Sequence, residues 1–154
     1  MLYSEYDFKF AKTILERHYP VCFREIGEAI AEMDSPLGRN VTPTPAKVLE
    51  EIFRTKGWQC QQAVTSTATR LKFDLLKDKV AGEIQLADPS DCYNDYLKFL
   101  LAYNLELVDV AFEVVYDDSV RGDNIPHLSK VTKDLTLYRR VMPCPIWVIG
   151  LRAP

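Results

Sequence analysis

Apolar residues recur at helical spacing in two stretches near the start of the chain. Residues 20–33 place their apolar side chains on one face and their glutamates toward the opposite side, with Pro20 at the first turn, where proline is tolerated. A second stretch opens at Pro45, keeps its apolar positions inward and ends near Gly57. The pattern therefore predicts two amphipathic helices, separated by a loop rich in Pro, Gly and Asn.

The pattern changes to strand spacing in residues 72–86. Short apolar runs flank a charged turn at residues 77–79, and small residues stand where two backbones must approach. Because strand side chains alternate between faces, Glu83 and Gln85 point the same way and Ile84 points the other way. We therefore expect an antiparallel hairpin with a polar patch on its second strand.

The rest of the chain divides into shorter elements. The polar, short-sided stretch 59–70 favours turns. Beyond the hairpin, the pattern predicts a loop (88–95), a helix (96–103), a strand (108–115), an exposed connection (117–126), a helix from Ser129 to about residue 140 and a buried strand (144–151). Strands separated by helices predict an α/β domain with a central mixed sheet flanked by helices.

Composition limits the class of protein. At 154 residues, 47% of them apolar, the chain can bury a core, and we expect a single domain over residues 1–154. No stretch approaches the roughly 20 apolar residues of a membrane span, and the charged start MLYSEYDFKF is unlike a signal peptide. The cysteines form no CxxC pair, so we expect reduced thiols at Cys22, Cys60, Cys92 and Cys144. These features predict a cytoplasmic protein with no membrane partner.

The charge balance argues mildly against nucleic acid. Nineteen basic residues against 22 acidic ones give a net charge of −3, whereas DNA-binding domains usually carry a basic surface. Basic residues nevertheless concentrate toward the end of the chain, and with four earlier ones they would form a face able to follow phosphates: Lys130, Lys133, Arg139, Arg140, Arg152, Arg54, Lys56, Arg70 and Lys72. A set of solvated surface charges fits the sequence equally well.

The hairpin carries the chemistry-bearing residues. An antiparallel neighbour can bring Asp74 beside Glu83 and Gln85, so that two carboxylates and an amide converge on strands that otherwise look buried. A carboxylate in such a place is costly unless it has a partner, and a divalent cation is a natural one. Hard oxygen ligands of this kind suit Mg²⁺ or Mn²⁺. The alternative is a surface strand whose polar residues face water.

The spacing D-x8-E-x-Q resembles the active-site signature of the PD-(D/E)xK nuclease superfamily, and more specifically that of BglII/BstYI-type restriction endonucleases, in which glutamine replaces lysine. The run DLLKDKVAGEIQ is similar nearly position by position, and FREIGEAIAEM, the KGW at residues 56–58 and the order of later elements also fit. The resemblance covers most of the chain. It implies a restriction-endonuclease-like fold and an endonuclease that cleaves double-stranded DNA with Mg²⁺, with Mn²⁺ as a substitute. It also implies a homodimer acting at a short, GATC-centred palindrome.

The same resemblance assigns roles to the hairpin residues. Asp74 and Glu83 are expected to bind the metal ion, and the main-chain carbonyl of Ile84 is expected to be a third ligand. Gln85 stands where most of the superfamily has lysine. An amide is neutral and cannot act as a base. We therefore expect Gln85 to orient the attacking water while the metal ion activates it.

Residues in three loops are candidates for contacting DNA. Gln61 lies three residues after Trp58, where the family pattern carries an asparagine near the catalytic centre. Asp88 departs from the asparagine or lysine that family members aim at DNA; a carboxylate there accepts from a cytosine amino group but is repelled by phosphate. Further candidates are Arg121, Asn124, Ser129 and Lys130. For each of them, a solvated loop residue is the competing interpretation.

Two other functions fit the same sequence. One is a DNA-processing nuclease of this fold that acts on ends, nicks or mismatches as a monomer. The other is a catalytically silent binding protein on this fold. Retention of Asp74, Glu83 and Gln85 at the family's spacing argues against the second.

Overall fold

The computed structural model describes residues 1–38, 41–67, 70–122 and 124–152. Within them, six strands form one sheet and five helices pack beside it. The strands are β1 (Leu2–Phe8), β2 (Gln59–Ala63), β3 (Lys72–Lys77), β4 (Val80–Ile84), β5 (Val110–Tyr116) and β6 (Ile146–Arg152). The helices are α1 (Ala11–His18), α2 (Pro20–Glu32), α3 (Pro45–Thr55), α4 (Asp91–Asn104) and α5 (Leu128–Leu137).

The sheet is mixed, with the strand order β1-β6-β5-β4-β3-β2. The three central strands β4, β5 and β6 are parallel, while β1, β3 and β2 pair antiparallel to their neighbours. Helix α4 connects β4 to β5, and α5 connects β5 to β6. The carboxyl ends of β4, β5 and β6 therefore meet at one edge of the sheet, where α4 and α5 also begin.

Apolar side chains cover both faces of the sheet. Helices α1, α2 and α3 pack on one face, against Phe112 and Trp147. Helices α4 and α5 pack on the other, where Phe99 and Val148 are fully buried. The sheet thus lies between two helical layers, and its central strands are buried on both faces.

Strand β4 passes very close to β5 at Gly82. This glycine pairs with Phe112 in the parallel register, and a Cβ atom at residue 82 would lie 2.3 Å from Cζ of the Phe112 ring. A glycine is therefore required next to Glu83, because any side chain would overlap the ring.

The expected α/β fold with a central mixed sheet and flanking helices is confirmed, including both early helices and the hairpin. The prediction of turns in residues 59–70 is wrong at its start, because Gln59–Ala63 forms edge strand β2 against β3. Helix α4 begins at Asp91 rather than at residue 96, so Asp95 lies on the helix and not in a loop. No helix in the described ranges is long and apolar enough to cross a lipid bilayer.

Candidate active site

The hairpin of β3 and β4 brings Asp74 to the main chain of β4. The ladder between the two strands ends at the pair Leu75 and Gly82. Beyond that point the N–H group of Ile84 donates a hydrogen bond to Oδ2 of Asp74 at 2.9 Å. The Asp74 carboxylate therefore takes the place of the next rung of the ladder and lies beside the backbone that joins Glu83 to Gln85.

Gln61 reaches Asp74 from the edge strand. Its neighbours Cys60 and Gln62 pair with Leu75 and Phe73, so Gln61 stands opposite Asp74. Its backbone has the left-handed φ of 56°, and its Nε2 donates to Oδ1 of Asp74 at 3.0 Å. A non-glycine residue in this conformation costs roughly 1–2 kcal/mol, and such strain often concentrates at functional sites.

Glu83 is buried against helix α4. Only 2% of the residue is exposed, and its Oε1 lies 2.6 Å from Nζ of Lys98. The contact is a buried ion pair at hydrogen-bonding distance. The Lys98 ammonium also lies 2.9 Å from Oδ1 of Asp95 and donates to the main-chain oxygen of Lys72 at 3.0 Å. One ammonium thus serves both carboxylates.

Gln85 continues β4 by one residue and turns its side chain toward the same helix. Its N–H donates to the carbonyl of Val114 at 2.9 Å, which keeps the chain in the sheet. Its Nε2 donates to Oδ2 of Asp95 at 3.0 Å. Glu83 and Gln85 therefore lie on the α4 face, while Ile84 packs into the opposite core, as the strand alternation predicted.

Burial and like charge dominate the electrostatics here. Burial, followed by the nearby Asp95 and Asp74 carboxylates, raises the pKa of Glu83 to about 10, against the opposing effect of Lys98. Burial likewise raises the pKa of Asp95, and Lys98 and Gln85 oppose it. Full ionisation of these carboxyl groups would exceed the single positive charge of Lys98. Additional positive charge would therefore favour their ionised forms.

The donor set fits a magnesium ion. Mg²⁺ is usually held by one or two carboxylates together with oxygens of a substrate phosphate and water, and not by an all-protein cage. Asp74 and Glu83 supply two hard carboxylates, and the ammonium of Lys98 is shared between Glu83 and Asp95. Across residues 1–38, 41–67, 70–122 and 124–152, no group of three His, Cys, Asp or Glu side chains is placed to hold a metal ion by itself. Main-chain and substrate oxygens would have to complete the set.

Besides Gln61, three of the candidates for DNA contact are engaged within the fold. Oδ1 of Asp88 accepts from the N–H of Ser90 at 2.8 Å and from its hydroxyl at 2.7 Å, which forms the turn before α4. Ser129 donates through its N–H and its hydroxyl to the Asp118 carboxylate at the start of α5. Lys130 contacts Asp134 at 2.7 Å and lies 4.6 Å from the centre of the Tyr93 ring.

The other two loop candidates are open to solvent. Arg121 and Asn124 are exposed in the connection between β5 and α5, at the sheet edge where β4 also ends. Among the earlier basic residues, Arg54 pairs with Glu50 and Glu51 on its own helix, and so acts there as a solvated surface charge. Lys133, Arg139, Arg140 and Arg70 are exposed.

Sequence reasoning missed Asp95 and Lys98. Helix α4 turns an apolar face inward through Cys92, Tyr96 and Phe99, and Asp95 lies on that same buried face. A charged residue on an apolar helix face was the available signal, since such a residue needs a partner. The sequence pattern places the start of the helix at residue 96, which leaves Asp95 in the preceding loop.

Comparisons with known proteins identify the family and the fold. The family model described as restriction endonuclease BglII/BglIII matches residues 3–151. The crystal structure of restriction endonuclease BglII complexed with a DNA 16-mer superposes with a TM-score of 0.86 at 15% identity, over 100% of this chain and 78% of that chain. The crystal structure of free BglII gives 0.76 at 16% identity, over 100% and 81%. A search of curated proteins gives no match. The resemblance seen in the sequence is therefore confirmed, and this chain belongs to the BglII/BglIII family of restriction endonucleases.

Proposed function

We propose that this chain is a type II restriction deoxyribonuclease that hydrolyses phosphodiester bonds of double-stranded DNA with Mg²⁺, for which Mn²⁺ can substitute. One observation carries the proposal: the β3–β4 hairpin brings Asp74, Glu83 and Gln85 to one edge of the sheet in a member of a DNA-cleaving family. Phosphodiester hydrolysis needs positive charge at the phosphoryl oxygens and an oriented water. The two carboxylates can bind the cation that supplies this charge, and the amide can orient the water.

The roles follow from the chemistry of each group. Asp74 and Glu83 would hold the metal ion, with the main-chain carbonyl of Ile84 as a third ligand. When bound, Mg²⁺ would supply Lewis acidity and lower the pKa of a coordinated water. Gln61 would fix the Asp74 carboxylate through its amide at 3.0 Å. Gln85 would orient the attacking water, because a neutral amide can accept and donate hydrogen bonds but cannot remove a proton.

DNA would lie along the edge where β4, β5 and β6 end. BglII, the structural neighbour with the TM-score of 0.86, was crystallised with a DNA 16-mer. In this chain the exposed Arg121 and Asn124 would approach base edges from the loop after β5. Asp88 and Ser129 would contribute through the turns they stabilise, and Lys130 from the first turn of α5. A GATC-centred palindrome is the target that the family suggests, and the carboxylate at Asp88 is where this chain would deviate from it.

A palindrome has two-fold symmetry, so a homodimer would match one catalytic centre to each strand. We expect the protein to be a homodimer and to lie in the cytoplasm. Light scattering of the purified protein measures the mass of the particle and so the number of chains in it. A single-copy mass together with cleavage at ends or nicks would instead support the DNA-processing nuclease.

The decisive experiment is incubation of the purified protein with unmethylated phage DNA in Mg²⁺ or in EDTA, beside an Asp74→Ala variant. Discrete fragments that need both Mg²⁺ and Asp74 would support a site-specific endonuclease, and sequencing their ends would give the site. A metal-dependent smear would retain the nuclease and remove the specificity. Intact DNA in every lane, also with Mn²⁺ and with methylated DNA, would favour the silent binding protein.

A further inference from the structure

Asp95 of helix α4 contacts the side chain of Gln85, which follows strand β4. It comes from the second turn of α4, is 3% exposed, and its Oδ2 accepts from Nε2 of Gln85 at 3.0 Å. Its other oxygen lies 2.9 Å from the Lys98 ammonium, which also lies 2.6 Å from Glu83. A short chain of polar contacts therefore runs from Gln85 through Asp95 and Lys98 to Glu83.

This arrangement determines which end of the Gln85 amide is presented to the site. A carboxylate only accepts hydrogen bonds, so the group that faces Asp95 has to be the NH₂ of Gln85. Its Oε1 then points away from Asp95. An amide oxygen accepts a hydrogen bond from water. A water that donates one of its hydrogens to Oε1 directs its lone pairs away from the amide.

We propose that Asp95 is a positioning residue for Gln85, held in place by Lys98, and that it presents Oε1 of Gln85 as the acceptor that orients the attacking water. The proposal rests on the proposed function and makes it specific, because it names the atom of Gln85 that acts. Lys98 supports the arrangement from the helix, with contacts to two carboxylates and to the carbonyl of Lys72.

A double-mutant cycle tests the role, since residues that act through one shared contact show non-additive effects. Gln85→Ala removes the acceptor, and Asp95→Asn allows the Gln85 amide to flip. We expect each to lower the single-turnover cleavage rate at saturating DNA by about 30-fold, in the range of supporting contacts at metal centres. The double variant should be no slower than Gln85→Ala. Multiplied losses, near 1,000-fold, would overturn the positioning role.

An exchange of partners provides a rescue. Gln85→Glu alone sets two carboxylates against each other, and cleavage should be lost. Adding Asp95→Asn restores one donor and one acceptor between the two positions and leaves a carboxylate oxygen facing the site. We expect at least tenfold recovery over Gln85→Glu alone. No recovery, with the variant folded as judged by its melting temperature, would contradict the proposal.

Two further measurements distinguish the positioning role of Asp95 from an effect on folding stability and from a general loss of catalysis. Lys77 offers a matched control, since its ammonium contacts the Glu25 carboxylate at 2.8 Å and the carbonyl of Lys56 at 2.8 Å, among residues not assigned to the site. Lys77→Met should lower the melting temperature and leave the cleavage rate of the folded protein unchanged, whereas Lys98→Met should slow cleavage. Equal cleavage rates for the two folded variants would count against the proposal.

The second measurement does not depend on activity. In ¹⁵N spectra, the side-chain NH₂ of Gln85 should exchange slowly with water, and this protection should disappear in Asp95→Asn. Fast exchange in the wild type would overturn the orientation. Wild-type protein that cleaves no DNA would overturn the proposed function and the positioning role with it, whereas additive losses in an active enzyme would overturn only the latter.

Discussion

The carboxylate of Asp74 is hydrogen-bonded to the backbone of Ile84, whose N–H donates to Oδ2 at 2.9 Å. The contact joins the two strands of the hairpin where their ladder has ended. It leaves the second carboxylate oxygen for Gln61. The position of Asp74 is therefore fixed by main-chain geometry from one side and by a single amide from the other.

Asp74→Asn should abolish cleavage and preserve the fold. The asparagine oxygen can still accept from Ile84, but the negative charge for the cation is gone. We expect a loss of about 1,000-fold or more in cleavage rate, equivalent to about 4 kcal/mol, with the melting temperature nearly unchanged. Asp78→Asn is the matched control, because Asp78 lies in the exposed turn of the same hairpin at φ 52°, which asparagine tolerates. Comparable losses in both variants would contradict the assignment.

Two substitutions of Gln61 should slow cleavage equally but differ in stability. Gln61→Ala and Gln61→Gly both remove the amide that contacts Asp74, so both should slow cleavage by a similar factor, about 10-fold or more. Only glycine adopts the φ of 56° without strain. The glycine variant should therefore be about 1 kcal/mol more stable than the alanine variant in urea denaturation. Equal stabilities would show that the backbone at this residue is unstrained.

Gly82→Ala should destabilise the protein next to the candidate active site. The added methyl group would overlap the Phe112 ring, 2.3 Å away at Cζ, and the ring is fully buried. Overpacking of this kind costs typically 1–3 kcal/mol. Gly27→Ala on helix α2 is the control, because no atom lies within 4 Å of a Cβ there, and alanine should stabilise the helix by about 0.5–1 kcal/mol. Thermal denaturation of both variants measures the contrast.

The stability of the fold should decrease in alkaline solution. Burial, then the nearby Asp78 carboxylate, raises the pKa of Cys22 to about 12, whereas a cysteine in an unfolded chain titrates near 8.5. The folded state keeps the thiol protonated, so its contribution is fully present below about pH 8.5 and is lost as the pH rises toward 12. Each such group changes the free energy of unfolding by about 1.4 kcal/mol per pH unit in that window.

Urea denaturation at several pH values checks this. Cys22→Ala should flatten the decline by about the contribution of one group. Cys60→Ala should change it less, since Cys60 is only partly buried and Arg54 opposes the rise in its pKa. An unchanged slope in Cys22→Ala would show that the thiol does not report the folded environment.

Elements with a strong apolar period were predictable from the sequence, and the edges of the sheet were not. The inward residues of α2, such as Ile26 and Ile30, are fully buried as expected. Strand β2 could not be predicted from apolar spacing, because Gln59–Ala63 is polar. An edge strand is paired on one side only and needs few apolar residues. Strand β1 and helix α1 were missed for a similar reason, since α1 buries only Ala11 and Leu15.

The candidate site was predictable to the extent that it depends on strand alternation. That rule placed Glu83 and Gln85 on one face and Ile84 on the other. It carried no information about Asp95, whose position depends on where α4 begins and how the helix crosses the sheet. The pairing of Gln61 with Asp74 likewise depends on a strained backbone angle, which no residue pattern specifies.

The residues proposed to take part in DNA hydrolysis come from one continuous stretch of chain, from Gln61 on β2 to Lys98 on α4. The exposed Arg121 and Asn124 belong to a later loop, which joins the same edge of the sheet from a different strand. Substitution or lengthening of that loop would leave the hairpin and α4 intact. If these assignments hold, a chain organised in this way can evolve, or be engineered, toward new DNA sequences while the residues proposed for hydrolysis stay unchanged.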